Sequence, residues 1–416
     1  MSELRHAVRY HIKKPTLPLY CRPMSRFIAV LFLLGLVAAH AQDRLPNTPL
    51  LSTHAEISIV TIGPWQGELY SAFGHSAFRV YDPILLVDDF YNYGVFNFNQ
   101  PNFYINFAKG HLRYQLAVDP YPLYRDYYIR HNRYLHEQIL NLDSAQKQAV
   151  FDYLFWNAQP ENAYYMYDYF YNNCASKLRD IIKGSFKQDV VFDSTYITTD
   201  YTIRQLTDLY LKHQPWGDLG IDICLGLPMD KHAEPYEYMF LPDYIESSFD
   251  HATLMQGDSV KPLVKEKVSV YESYPEEPPK SLIHPWLAFG LFLALTLWVT
   301  WNDWRKKKTS KWFDSFVFGV VGLVGILLLL LWLAIDHRAA ARNMNLLWAM
   351  PLHVFVVPFL WKWKPWVTNY FQTMSGLLAI TLLSWAWLPQ QLNVFLIPVV
   401  IALGMRAWWN GWGKKV

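Results

Sequence analysis

Apolar and polar positions change their spacing several times along the chain. EISIVTIG (56–63) and SAFRVYD (76–82) alternate with period two and predict strands, and DDFYNYGVFNF (88–98) is an aromatic run of the same kind. LDSAQKQAVFDYLFWNA (142–158) instead has apolar residues at helical spacing behind Asp143 or Ser144, either of which can cap a helix. In MYDYFYNNCASKLRDIIKG (166–184), Leu178, Ile181 and Ile182 form a helical stripe, Asn172 and Asn173 stand where a cap belongs, and Gly184 suits the end. Cys174 therefore falls at a helix N-terminus. After Pro285 the pattern turns almost wholly apolar, in stretches near 283–301, 313–335, 345–362, 371–388 and 391–409. Each has roughly the 17–25 residues that a spanning helix needs.

Composition sharpens this division. The charged fraction is 17%, below the roughly 25% of ordinary soluble domains, and the deficit lies in residues 282–410. The expected organisation is a leader over 1–41, an exported domain over 42–273, a Pro- and Glu-rich linker over 274–282, and a membrane domain over 283–416. Within the leader, Met24-Ser25-Arg26 is a short basic start, Phe27 to Ala38 an apolar core, and Ala39-His40-Ala41 a small-x-small cleavage site. Residues 1–23 do not resemble the opening of a signal, so Met24 is the expected start; an uncleaved anchor is the alternative. The connection NDWRKKKTSK (302–311), the region of Lys362 and Lys364, and the tail GWGKKV are basic. The positive-inside rule puts all of them, and the C-terminus, in the cytoplasm and the 42–273 domain outside it. A net charge of only +2 gives no electrostatic case for nucleic acid.

Two residues suggest chemistry. FGHSAFRV (73–80) sets His75 where a strand pattern begins, and YNNCASKLRD (171–180) sets Cys174 at a helix start. Helix N-terminal N–H groups and the helix dipole favour a thiolate. A nearby imidazole shuttles its proton, and the same N–H groups suit the oxyanion of a tetrahedral intermediate. A Cys on a helix facing a His on a strand is a papain-like arrangement, with His before Cys as in circularly permuted members of that class. The expected fold is thus an α+β permuted papain-like exported domain followed by an all-α five-helix transmembrane domain. Asn92 is the first candidate to orient His75, and Asp89 the second. Asn173, Ser76, Arg79 and Tyr93 are candidate substrate-binding residues; for Arg79, as for Asp180, a structural ion pair is the other reading.

The structural readings stand beside these. A lone Cys is commonly a small buried residue, and a strand His is commonly structural. A disulfide between Cys174 and Cys224 competes with a free thiolate in an exported domain, although the helix-start context argues for the thiolate. His337, Asn343 and Asn345 lie at the outward end of the second and third spans, either as headgroup contacts or as ordinary juxtamembrane polar residues. His353 lies deeper, where an ionisable residue is a functional candidate. Nothing in these motifs calls for a metal or a cofactor.

GELYSAFGHSAFRVYD, FYNYGVFNF, FYINFAKGHLRYQL, RHNRYLHEQILNL and YMYDYFYNNCASKLRD, in that order, resemble the exported domain of the Bacteroidota-type lipoprotein N-acyltransferases (Lnb-like) over about residues 45–250. IDHRAAARNMNLLWAMPLHV (335–354) is similar to the family's membrane part. The resemblance implies a multi-pass protein of the bacterial inner membrane with its catalytic domain in the periplasm. It implies a cysteine-dependent acyltransferase with His75 and Cys174 as the catalytic pair. The acyl donor would be a membrane phospholipid, and the acceptor the N-terminal Cys amine of diacylated lipoproteins. A papain-like cell-wall amidase or endopeptidase, and a non-enzymatic membrane sensor or scaffold, are the competing functions.

Overall fold

The computed structural model describes residues 48–96, 106, 113–277, 283–334 and 338–413. The leader, with its expected cleavage site and Cys21, lies outside the described residues, as do His337 and residues 278–282 of the expected linker.

The alternating stretches form strands as their spacing requires: β1 (Glu56–Ile62), β2 (His75–Asp82) and β3 (Val87–Val95). They continue with β4 (Arg113–Pro120), helix α1 (Tyr121–Arg130), β5 (Leu135–Leu140), helix α2 (Ser144–Asn157), the short β6 (Tyr164–Met166) and helix α3 (Cys174–Phe186). Helices α4 (Ile203–Leu211), α5 (Pro215–Cys224) and α6 (Pro242–Asp250) follow, and β7 (Val264–Tyr271) returns to the sheet. The sheet is antiparallel throughout, in the order β7-β5-β1-β2-β3-β4-β6.

The pleat divides the sheet's side chains between two cores. Ile57, Ile59, Phe78, Val80, Tyr91 and Tyr93 pack with Val150 and Leu154 of α2 and with Cys174, Leu178 and Ile182 of α3. On the other face Val60, Ile62, Ala77 and Phe90 meet Tyr121 and Tyr128 of α1. Both sequence-predicted caps form. Asp143 closes a capping box with Gln146, and Asn173 closes one with Ser176. The second helix runs two residues past Gly184, ending at Phe186.

The apolar tail is built from α7 (Pro285–Lys306), α8 (Lys311–Leu333), α9 (Pro365–Leu383) and α10 (Ile397–Gly411). Among the described residues three helices are long and apolar enough to cross a membrane: Pro285–Lys306, Lys311–Leu333 and Val394–Gly411. The bent pair Arg338–Leu347 and Leu352–Leu360, with a 44° break, makes up to four. The stretch expected as a third continuous span is therefore broken. Pro351, at the break, explains this, because it removes a backbone donor. Polar residues such as Asn369, Gln372 and Ser375 dilute the first part of α9.

The ends of α7 and α10 and the start of α8 share one buried ion network. Arg406 Nε meets Asp314 at 2.6 Å and Nη2 meets Asp303 at 2.8 Å, while Nη1 donates to Thr300 Oγ1 at 3.0 Å. Removing the cation would leave two carboxylates buried against apolar helices. Arg406→Met is expected to cost about 3–5 kcal/mol, read as a lowered unfolding midpoint of the full-length protein in detergent. Adding Asp303→Asn and Asp314→Asn should recover most of it; an unchanged midpoint in the single variant would refute the assignment.

Candidate active site

His75 opens β2 directly opposite Ile62 of β1. Gly74, before it, has φ +79°, and a Cβ there would come within 2.8 Å of the Ile62 carbonyl oxygen. That close turn sets the ring against β3, where His75 Nε2 lies 2.7 Å from Asn92 Oδ1. A carboxamide oxygen only accepts, so the proton is on Nε2 and Nδ1 keeps its lone pair. Nδ1 has no hydrogen-bond partner among the described residues. Burial pulls the His75 pKa down to about 4; the Asn92 hydrogen bond opposes this, and the Arg133 charge adds to it. The imidazole is thus a neutral base from neutral pH down to about pH 4. Asp89, the other candidate to orient it, shares with Tyr91 the face of the strand opposite Asn92.

Cys174 is the first residue of α3 and is held by the buried Asn173. The Asn173 Oδ1 accepts from the Ser176 N–H at 2.8 Å, and its Nδ2 donates to the carbonyls of Tyr169 and Phe240, both at 2.8 Å. Asn173 is therefore a positioning residue rather than a substrate contact. The thiol is free and buried, and so is not in a disulfide; Cys224 is free as well. Burial pushes the Cys174 thiol pKa up, while the amides of Ser76, Ala175 and Cys174 itself and the Arg133 charge pull it back. This corrects the sequence expectation of a resting thiolate: the helix start favours the anion, but the loss of water outweighs it. No hydrogen bond joins the His75 and Cys174 side chains. What brings the two together is Ser76, whose amide acts on the sulfur and whose neighbour is His75.

Gly94 opens the space beside the sulfur. It has φ +92°, at a register shift in β3 between Asn92 and Val95. A Cβ there would lie 3.4 Å from the Tyr167 ring and 3.7 Å from Cys174 Cβ. Tyr167 stacks on Tyr114 with centroids 4.3 Å apart, and Lys177 sits over Tyr165. The thiol thus faces an aromatic wall.

Several expected site residues are occupied elsewhere. Arg79 bonds Asp88 and Glu137 and lies 4.0 Å over the Tyr121 ring. Tyr93 is fully buried and donates to Asn157. The Ser76 hydroxyl is buried without a partner, so its contribution is its backbone amide. Asn345 is buried and donates to the carbonyls of Asp222 and Ile223, and Asn343 to that of Ile223 at 2.7 Å. Both clip the membrane loop to α5 instead of waiting for a headgroup. His353 is buried and shares a 2.7 Å hydrogen bond with Tyr370. Near that clip, Asp208, Asp218 and Asp222 gather their carboxylates within 4.8 Å of one another. Arg204, Asn393 and Gln391 bond into the group. Arg133 is the residue that sequence reasoning missed. It lies in RHNRYLHEQILNL, but spacing gave it no role.

The family model for the Lnb N-terminal periplasmic domain matches residues 47–208, and the model for the Lnb transmembrane domain matches residues 277–415. No curated protein and no solved structure matches the chain.

The raised thiol pKa generates a direct expectation. In a Cys224→Ser background, alkylation of Cys174 by iodoacetamide, located by peptide mapping, should still be accelerating at pH 9. A rate that levels off at or below pH 7 would mean that the resting group is a thiolate.

Proposed function

The chain belongs to the Lnb-like family, and from that premise we propose that it is a lipoprotein N-acyltransferase. It is a membrane protein with a periplasmic domain. The remainder of the proposal is a multi-pass protein of the inner membrane, with five spans and a cytoplasmic C-terminus. Its periplasmic domain is read as permuted papain-like, with a cysteine nucleophile and a histidine base.

The observation that carries this reading is the pairing of two neutral groups. A thiol sits on a capped helix start, amid the Ser76, Cys174 and Ala175 amides, and the residue before Ser76 is His75, whose imidazole proton Asn92 holds on Nε2. In the first half-reaction His75 Nδ1 takes the Cys174 proton as sulfur attacks an ester carbonyl of a membrane phospholipid. The amides meet the charge that develops on the carbonyl oxygen. The C–O bond breaks, the imidazolium returns the proton to the departing alkoxide, and a lysophospholipid leaves a thioester on Cys174. In the second, the α-amine of a diacylated lipoprotein's N-terminal Cys attacks the thioester. An amide forms, the C–S bond breaks, and His75 carries the amine proton to the sulfur. A buried site that excludes water favours the amine over hydrolysis. The membrane helices hold the site beside a donor and an acceptor that are both anchored in lipid.

Purified full-length protein in phospholipid nanodiscs with a diacylated lipopeptide should yield triacylated product and an equal amount of lysophospholipid. Cys174→Ser should lower the rate by at least about 1,000-fold, and His75→Ala by about 100- to 10,000-fold. Asn92→Ala should fall less, because the imidazole remains and only its orientation is freed. Cleavage of peptidoglycan fragments without lysophospholipid release would favour the amidase reading. Full complementation of a deletion by Cys174→Ser would leave only a sensor or scaffold.

A further inference from the structure

The other buried arginines of the described residues each have a carboxylate against them. Arg179 meets Asp180, Arg204 meets Asp222 and Asp230, and Arg406 meets Asp303 and Asp314. The half-buried Arg79 has Asp88 and Glu137. Arg133 is only 6% exposed and has no carboxylate partner among the described residues. Its Nε donates to the Gly63 carbonyl at 2.7 Å, which fixes the guanidinium at the end of β1. The Tyr128 ring lies under its centre at 4.9 Å. Those contacts use one N–H and one face of the plane. Among the described residues the buried Nη2 has no acceptor and Nη1 makes no hydrogen bond.

A buried cation with an open donor fork is costly unless an anion completes it. The fork's planar pair of donors suits two oxygens of one phosphate. Its charge also reaches the reacting groups, for both Cys174 and His75 feel it. In a glycerophospholipid the phosphate and an ester sit on neighbouring glycerol carbons. A phosphate held beside the nucleophile therefore brings an ester carbonyl towards it.

We propose that Arg133 is the phosphate-binding residue for the donor lipid, its open Nη1/Nη2 fork gripping the phosphodiester while Cys174 meets an ester carbonyl. This rests on the acyltransferase reading above and adds to it that the donor must carry a phosphate. Neutral diacylglycerols then bind poorly, although their ester chemistry is the same.

The test separates binding from transfer. Full-length Cys174→Ala protein in neutral detergent micelles is titrated with a fluorescent diether glycerophospholipid, which has no ester to transfer, and with the matching diether glycerol. The phosphate-bearing lipid should bind roughly 10- to 100-fold more tightly, and Arg133→Met should abolish that preference. Arg133→Gln keeps a donor for the Gly63 carbonyl and so guards against a folding defect; it should lose the preference as well. The ratio of the two affinities within one variant is insensitive to the folded fraction. Equal binding of the two lipids by the Arg133 protein, or an undiminished preference in Arg133→Gln, would overturn the proposal. A preference that depends on Arg133, with no acyl transfer in the Cys174 protein, would instead refute the acyltransferase reading and leave the phosphate site standing.

Discussion

The site depends on one side-chain amide, that of Asn173. A helix start presents unpaired N–H groups, and whichever residue follows the cap is the one brought among them. Asn173 caps α3 with its oxygen and uses its nitrogen to tie the Tyr169 loop and the Phe240 segment to the same point. The start of α3, the Tyr169 loop and the Phe240 segment are thereby fixed around Cys174. The sheet contributes the rest: the Gly74 turn sets His75, and the Gly94 bulge clears the space in front of the sulfur. Because all of these fixings are backbone-directed, the sulfur's environment is set before any substrate arrives.

That environment is dry, and dryness decides the protonation states. Burial raises the pKa of an acid that ionises to an anion and lowers that of a base that ionises to a cation, so it moves Cys174 and His75 in opposite directions. The pair rests as thiol and imidazole instead of thiolate and imidazolium. In the proposed reaction, proton transfer then accompanies attack on the carbonyl, and no ion pair needs to survive beside lipid. The charge that acts on both groups is Arg133, which favours a thiolate and opposes an imidazolium. It acts in a low-dielectric surrounding, where one charge counts for more than it would in water.

The local elements were legible in the sequence wherever periodicity was strong. The strands around 56–62 and 75–82, and the two capped helices, follow from spacing and cap residues, so Cys174 at a helix start could be placed without coordinates. Asn92 was legible as the partner of His75 because adjacent strands were expected to pair. Misplaced were residues whose roles depend on long-range partners. Arg79 was open between a ligand contact and a structural ion pair, and Glu137 from another strand claims it for the ion pair. Asn345 was open between a headgroup contact and an ordinary juxtamembrane polar residue, and the carbonyls of α5 claim it. Arg133 could not be singled out because its distinction is the absence of an acid, and an absence of that kind exists only in three dimensions. The thiol's protonation was misjudged for a related reason: a helix start is visible in sequence, whereas the depth of burial around it is not.

The junction of the two domains bears on the proposed use of a lipid substrate. A Pro- and Glu-rich linker alone would tether the periplasmic domain without orienting it. The first arm of the bent membrane pair does more. Asn343 and Asn345 bond the carbonyls that end α5, Gly226 donates to the Ala339 carbonyl at 2.7 Å, and Gln390 Nε2 donates to the Leu225 carbonyl at 3.0 Å. Ala339 also packs into the core shared by Phe170 and Phe240, the segments that Asn173 ties to Cys174. The chain of contact from membrane loop to sulfur is therefore continuous. A nucleophile hung from a flexible tether would meet a given lipid ester at varying heights and angles. One braced to the helices that set the bilayer's position meets it at a fixed depth, which is the geometric condition for using a substrate that cannot leave the membrane.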